Sequence, residues 1–307
     1  MLWHPDLHPD TEPRRVTLER GEWVDPARAG RTVPYKLYVP EARAGDTSYP
    51  VILWSHGLGG TRDGAGFISR YVAAHGYIIA HVQHPGTDDA LWAGKPGHPW
   101  THIRAATIPR KTVLARYRDV PFALAQLRAM GVPQADFTRV GMSGHSFGAL
   151  TTQMMAGQRI AKGRRHYDLY QPDFRAGILY SPVPGRKDPE DPGFVYGGIR
   201  IPLLHITGTD DESPLEGFSY ERRLNVARGT GRDDQMVVVI PNGDHMVFNG
   251  SRGGLGDNPD REAHELIIKV LSLAWWEWHL KGDRTAGAWL ENYSKTFHKD
   301  DYSHLKR

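Results

Sequence analysis

Among its 307 residues the chain has no cysteine. Disulfides, thiolate metal centres and a cysteine nucleophile are therefore excluded, although the compartment stays open because secreted proteins can also lack disulfides. There is no run of about 18 apolar residues to span a bilayer. The amino-terminal stretch Met1 to Asp10 has no basic region followed by an apolar one. The expectation is a soluble, cytoplasmic protein without stable membrane insertion, secreted only if a leader has been removed ahead of Met1. Charge of one sign is not concentrated either: 38 Lys and Arg face 35 Asp and Glu, for a net +3, and only Lys162, Arg164, Arg165 and His166 cluster. A nucleic-acid footprint gathers basic residues on one face. No nucleic-acid partner is expected, and the cluster reads as a solvated surface turn.

What is present suits a packed core, since 39% of the residues are apolar and 24% charged. With no internal repeat and no linker-like stretch, residues 1–307 read as a single domain. Val16 to Trp23 and Thr32 to Val39 are rich in β-branched and aromatic residues, and the Asp25 to Gly30 turn between them predicts an antiparallel opening pair. Short apolar runs follow at Val51 to Trp54, Tyr77 to Val82, Val140 to Met142, Ala176 to Tyr180, Pro202 to Ile206 and Met236 to Ile240. Stretches with helical spacing lie between or after them: Phe67 to Ala74, Val120 to Met130, Phe147 to Ala156, Phe218 to Ala227 and Glu262 to Leu280. Strands buried on both faces and alternating with helices predict an α/β fold with a mostly parallel sheet. Asp119 can cap a helix at Val120, or an upstream helix can run through Pro121 with a kink. Pro85 to Lys111, Pro182 to Arg200 and Asn249 to Asn258 read as long loops, and loops of that length are usually functional or disordered.

Residues 140 to 150, V-G-M-S-G-H-S-F-G-A-L, contain two serines. A nucleophile on a sharp strand-to-helix turn needs glycine two residues before and two after it. Ser146 has Gly144 and Gly148, whereas Ser143 has His145 where the second glycine belongs. Ser146 is thus the candidate nucleophile, and Ser143 a strand-end residue packed under the turn. A serine hydroxyl needs a base, and the base needs an orienting group. Of the 16 histidines, His245 alone follows the final predicted strand in a glycine-bearing loop. For the orienting acid, Asp210 and Asp211 follow an earlier strand, and Asp244 competes by proximity. An oxyanion hole needs a second backbone N–H besides that of Phe147. The glycine loop after Val51 to Trp54 makes Leu58 that donor; it lacks the spacing of a phosphate-binding loop.

In this order, S-H-G-L-G-G, G-H-S-F-G, G-T-D-D-E-S-P and G-D-H resemble the α/β-hydrolase superfamily. The similarity is greatest to dienelactone-hydrolase-like proteins and plasma-type platelet-activating-factor acetylhydrolases, with cutinase-like polyester hydrolases more distant. It extends to W-V-D-P-A-R-A-G-R-T-V-P-Y-K-L-Y-V-P, Y-R-D-V-P-F-A-L-A-Q-L and W-W-E-W-H-L-K-G-D, and so to most of the chain. The resemblance implies Ser146 as nucleophile, His245 as base, Asp211 as orienting acid, Leu58 and Phe147 as oxyanion donors, and no cofactor. Two departures limit it. Dienelactone hydrolases proper use a cysteine nucleophile, which is absent here, and the segments 85–111 and 182–200 do not match the acetylhydrolases.

The reading is a serine carboxylic-ester hydrolase acting on small-molecule esters of short to medium acyl length. A peptidase or amidase of the same fold usually carries an additional substrate-selecting domain, for which the chain has no room, and a catalytically inactive binding protein tends to lose a triad member. Trp92 and Trp100, in the 85–111 segment, read as substrate-pocket walls or loop anchors, and Trp275, Trp276 and Trp278 as core. His4 and His8 stand beside prolines that argue against a helical ligand pair. Asp257 to Asp260 lacks the glycine and terminal glutamate of an EF-hand, which leaves helix capping for Asn258.

Overall fold

The computed structural model describes residues 13–162, 165–185, 191–250 and 258–296. The opening strands β1 (Val16–Asp25) and β2 (Arg31–Pro40) pair antiparallel from Val16 opposite Pro40 to Asp25 opposite Arg31. Their turn is a short 3₁₀ segment capped by Asp25, whose carboxylate accepts the Ala27 N–H at 3.0 Å. Along the chain follow β3 (Tyr49–Ser55), α1 (Gly66–Ala74), β4 (Ile78–Val82), α2 (Pro99–Ala105), α3 (Arg110–Met130), β5 (Ala135–His145) and α4 (Phe147–Ala156). Then come β6 (Ile160–Lys162) and β7 (Arg165–Tyr167), β8 (Phe174–Tyr180), α5 (Pro192–Tyr196), β9 (Leu203–Asp210), α6 (Tyr220–Arg223), α7 (Asn225–Arg228), β10 (Gln235–Asp244), α8 (Arg261–Lys281) and α9 (Arg284–Thr296).

Eight strands form one sheet in the order β1-β2-β4-β3-β5-β8-β9-β10, parallel from β4 onward. Apolar clusters cover both faces: α1 and α8 supply much of one, and α3 and α4 much of the other. This double covering explains the unbroken apolar runs of the central strands. Trp275 and Trp276 of α8 are buried in the first cluster, as core residues should be. Opposite them Gly141 must be glycine, because a Cβ there would lie 2.6 Å from the Trp276 ring.

The order has one reversal that matters. From β3 the chain crosses to β4 on one side and then returns to β5 on the other, so β3 and β5 flank the switch point where open α/β sheets bind ligands at their carboxyl ends. Ser55 at the end of β3 is in register with Gly144 near the end of β5. The loops after β3, β5, β9 and β10 leave from that same edge.

Three expectations need correction. The helix read as Val120 to Met130 begins at Arg110 and runs through Pro121. Asp119 is no cap; it is a buried carboxylate that accepts from Arg28, Arg31 and His84, and these contacts hold the helix where proline removes a backbone donor. The 85–111 segment is not an irregular loop, since it contains a 3₁₀ turn at Asp89–Leu91 and α2. Phe218 to Ala227 is broken into α6 and α7 around Leu224. The β6–β7 hairpin, which holds Lys162, Arg165 and His166 of the basic cluster, gave no signal in the sequence, and Arg164, like His4, His8 and Asp257, lies outside the described residues. Among the described residues no helix is long and apolar enough to cross a membrane.

Candidate active site

The switch between β5 and α4 is a hairpin-sharp bend at Ser146, whose φ of 55° and ψ of −115° are strained for any L residue. Its N–H donates to the Tyr180 carbonyl at 2.9 Å. The two flanking glycines are dictated by close approach: a Cβ on Gly148 would stand 1.8 Å from the Ser55 carbonyl oxygen, and one on Gly144 2.5 Å from the Gly148 carbonyl. Ser146 lines a cavity of about 480 Å³ together with His245 and Leu58. Ser143 is buried within β5, opposite Trp54, and does not line it.

His245 leaves the end of β10, and Asp211 the end of β9. Asp211 is fully buried, with Oδ1 accepting from His245 Nδ1 at 2.6 Å and from Arg223 Nη2 at 3.0 Å, and Oδ2 accepting from Thr207 Oγ1 at 2.8 Å. Burial opposes ionisation of this carboxyl, but the charges of Arg223 and His245 outweigh it and hold the group below its usual value. An ionised Asp211 commits the Nδ1 proton of His245 and leaves Nε2 as the basic nitrogen. Arg223 Nη2, 3.2 Å from Nδ1, is then an electrostatic neighbour rather than a second hydrogen-bond partner. Asp210 is exposed, and among the described residues its carboxylate accepts only from its neighbour Thr209. Asp244 secures the loop instead, accepting the Met246 and Val247 N–H groups at 2.7 and 3.0 Å. Asn258 donates to Asp244 at 2.6 Å and accepts the Asp260 N–H, so the N-cap of α8 is Asp260 rather than Asn258.

Two residues matter here that have no signature in the sequence. Arg223 closes the acid loop by donating Nε to the Asp211 carbonyl at 3.0 Å and Nη1 to the Pro182 carbonyl at 3.0 Å. His145, between the elbow glycine and Ser146, donates Nε2 to the His245 carbonyl at 2.8 Å and lies ring against ring with His245 at 4.6 Å. Burial keeps His145 neutral by lowering its pKa well below the usual histidine range.

In the loop after β3, Gly59 takes a left-handed φ of 74° and donates to the Thr87 carbonyl at 2.9 Å, while Gly60 closes back on the Gly57 carbonyl. Just before Gly59, the Leu58 N–H has no acceptor among the described residues, and neither has the Phe147 N–H at the start of α4. Trp92 and Trp100 both line the cavity. Trp92 is also an anchor, through Nε1 donating to the Gly59 carbonyl at 2.7 Å. From α2, Arg104 donates to the Pro214 carbonyl at 3.1 Å, joining the 85–111 segment to the acid loop across the cavity mouth. Ile103, Pro99, Leu215 and Met246 complete apolar walls, and among the described residues no Asp, Glu, Lys or Arg side chain lines the space.

Comparison with solved structures finds this architecture elsewhere. A ferulic acid esterase from Streptomyces cinnamoneus superposes with a TM-score of 0.61 at 16% identity, covering 90% of this chain and 92% of that one. A putative dienelactone hydrolase from Klebsiella pneumoniae gives 0.57 at 17% identity, covering 85% and 98%. The chain has the α/β-hydrolase fold. In sequence, the chain matches the family profile described as platelet-activating factor acetylhydrolase, isoform II, over residues 36–93. That segment runs from β2 through the Leu58 loop to Trp92 and stops before Ser146, Asp211 and His245. The platelet-activating factor acetylhydrolase of Cavia porcellus is 24% identical over 289 residues, a match that takes in 78% of this chain and 60% of that protein. The chain therefore spans about three-fifths of the curated relative's length.

Proposed function

We propose that the protein is a serine carboxylic-ester hydrolase for uncharged esters of short to medium acyl length. The observation that carries the proposal is the convergence on one cavity of a serine in a strained turn and a histidine hydrogen-bonded to a buried, ionised aspartate. Ser146 Oγ attacks the ester carbonyl carbon as His245 Nε2 takes its proton. The oxyanion is received by the Leu58 and Phe147 N–H groups, which have no other acceptor among the described residues. Collapse expels the alcohol, protonated by His245, and leaves an acyl group on Ser146. Water then attacks the acyl carbon, giving its proton to His245, and the acid departs as Ser146 recovers its proton. The strain at Ser146 and the positive end of α4 both favour this chemistry at the helix start.

The choice of uncharged substrates follows from the walls. An ionic group inside this cavity would lose hydration without meeting a Lys or Arg counter-ion among the described lining residues. The acetylhydrolase, ferulic acid esterase and dienelactone hydrolase relatives support ester hydrolysis as the reaction class. The test compares p-nitrophenyl butyrate with the p-nitrophenyl monoester of succinic acid, which places a carboxylate where the butyrate has a methyl. The expected kcat/KM favours butyrate roughly tenfold or more; equal values would overturn the uncharged-substrate assignment, and no hydrolysis of either would overturn the reaction class.

A further inference from the structure

Arg116, on α3, is wholly buried, yet its four hydrogen bonds all go to uncharged acceptors. Nε donates to Thr151 Oγ1, Nη1 to Thr87 Oγ1 and Nη2 to Ser55 Oγ, each at 2.8 Å, and Nη2 also donates to the His56 carbonyl. The guanidinium carbon sits 4.4 Å from the centre of the Phe147 ring. Burying a cation without a directly paired anion is expensive, and a neutral side chain of similar size would avoid the penalty.

We propose that Arg116 is a positioning residue that locks both sides of the oxyanion hole and adds its charge to the field at the oxyanion. The proposal rests on the ester-hydrolase reading above. On one side, Leu58 lies between His56, whose carbonyl Arg116 holds, and Gly59, whose N–H is fixed by Thr87, another Arg116 partner. On the other side, Thr151 accepts from Arg116 and donates to the Phe147 carbonyl at 2.8 Å, while the Phe147 ring lies against the guanidinium. One planar group thus spans the β3 loop and the start of α4, the two elements that present the free N–H groups.

The arrangement is directional. Asp119 is held ionised, below the usual carboxylate range at about 2, because burial is outweighed by the hydrogen bonds from Arg31 and His84 and by the charge of Arg31. His84 Nδ1 therefore donates to Asp119 at 3.1 Å, which leaves its Nε2 to accept the Ser55 hydroxyl proton at 2.9 Å. Ser55 Oγ is then turned to accept from Arg116. The His84 N–H donates to His56 Nε2 at 3.0 Å, and His56 Nδ1 donates to the Gly57 carbonyl at 2.7 Å, fixing the residue before Leu58 as well. Burial lowers the Arg116 pKa to about 9, which still leaves the group cationic at neutral pH.

The experiment uses the full chain with Arg116→Met, Arg116→Lys and Thr151→Val. It measures kcat and KM for p-nitrophenyl butyrate and the inhibition constant of a trifluoromethyl ketone, whose serine adduct carries an oxyanion. Arg116→Met should lower kcat by about a hundredfold, with KM changed by less than about twofold, and weaken the ketone by the same factor. Arg116→Lys should recover part of the loss, and Thr151→Val should show the same pattern at smaller size. Should Arg116→Met fail to fold, the other two decide: unchanged kcat and ketone affinity in both would overturn the proposal, as would a loss confined to KM. A wild type that neither hydrolyses the ester nor binds the ketone overturns the ester-hydrolase reading and this proposal with it. An active wild type with unimpaired variants overturns the proposal alone.

Discussion

Two aspartates side by side, Asp210 and Asp211, have opposite surroundings: one is exposed at the end of β9 and the other fully buried against His245 and Arg223. Asp211→Asn should cut kcat by up to about ten-thousandfold, because an amide favours the wrong imidazole tautomer and cannot balance the imidazolium. Asp210→Asn should change it little, and steady-state kinetics on the pair checks both. Arg223→Met makes a second prediction. It removes the leading charge that lowers the Asp211 pKa and leaves burial, which raises it. Asp211 should then become protonated at higher pH than in the wild type, so the acid limb of the kcat/KM profile should move to higher pH; an unmoved limb would contradict the electrostatic role. The positions of Ser146 and His245 were legible because strand ends and glycine spacing mark them locally. Asp211 needed a family resemblance to be chosen over its neighbours. Arg223 and Arg116 were not legible, since an arginine on a helix has no local signature and only the tertiary fold reveals that Arg223 is buried against backbone carbonyls and Arg116 against hydroxyls and one carbonyl.

Among the elements, α2 and the turn before it do most to shape the cavity, and the sequence read them as loop because Pro96, Gly97 and Pro99 mask a short helix. Trp92 and Trp100 separate there. Trp92→Ala removes both a wall and the 2.7 Å bond to the Gly59 carbonyl, so it should alter the acyl chain-length ranking and lower the melting temperature. Trp100→Ala should alter the ranking with a smaller thermal effect, because the indole has no comparable anchor. A series of p-nitrophenyl esters with paired melting curves distinguishes the two. The α3 boundary was ambiguous for a related reason: Pro121 suggests a helix start, and only the buried contacts of Asp119 explain why the helix continues through it.

At the scale of the whole molecule, the mostly parallel sheet followed from alternating apolar runs and helical stretches, whereas the strand order that brings the ends of β3 and β5 together is seen only in the fold. Stability should depend on pH through histidines that the fold buries. Burial lowers the pKa of His81 to about 3 and of His84 and His205 to about 4, against about 6.5 in an unfolded chain. Between those values the unfolded state binds protons that the folded state does not, so acidification favours unfolding by about 1 kcal/mol per pH unit for each histidine. Melting temperature should fall steadily from pH 6.5 toward pH 4 and stay nearly level from pH 7 to 8; a flat curve throughout would contradict the neutral burial. The most direct test of the central claim, that Ser146 forms an acyl-enzyme, is mass spectrometry of the protein after treatment with a fluorophosphonate, followed by peptide mapping. One adduct per chain is predicted, on Ser146, with loss of esterase activity in proportion to labelling and no adduct on Ser146→Ala. An adduct mapped to Ser143 or elsewhere, or a Ser146→Ala protein that still hydrolyses esters, would contradict the account.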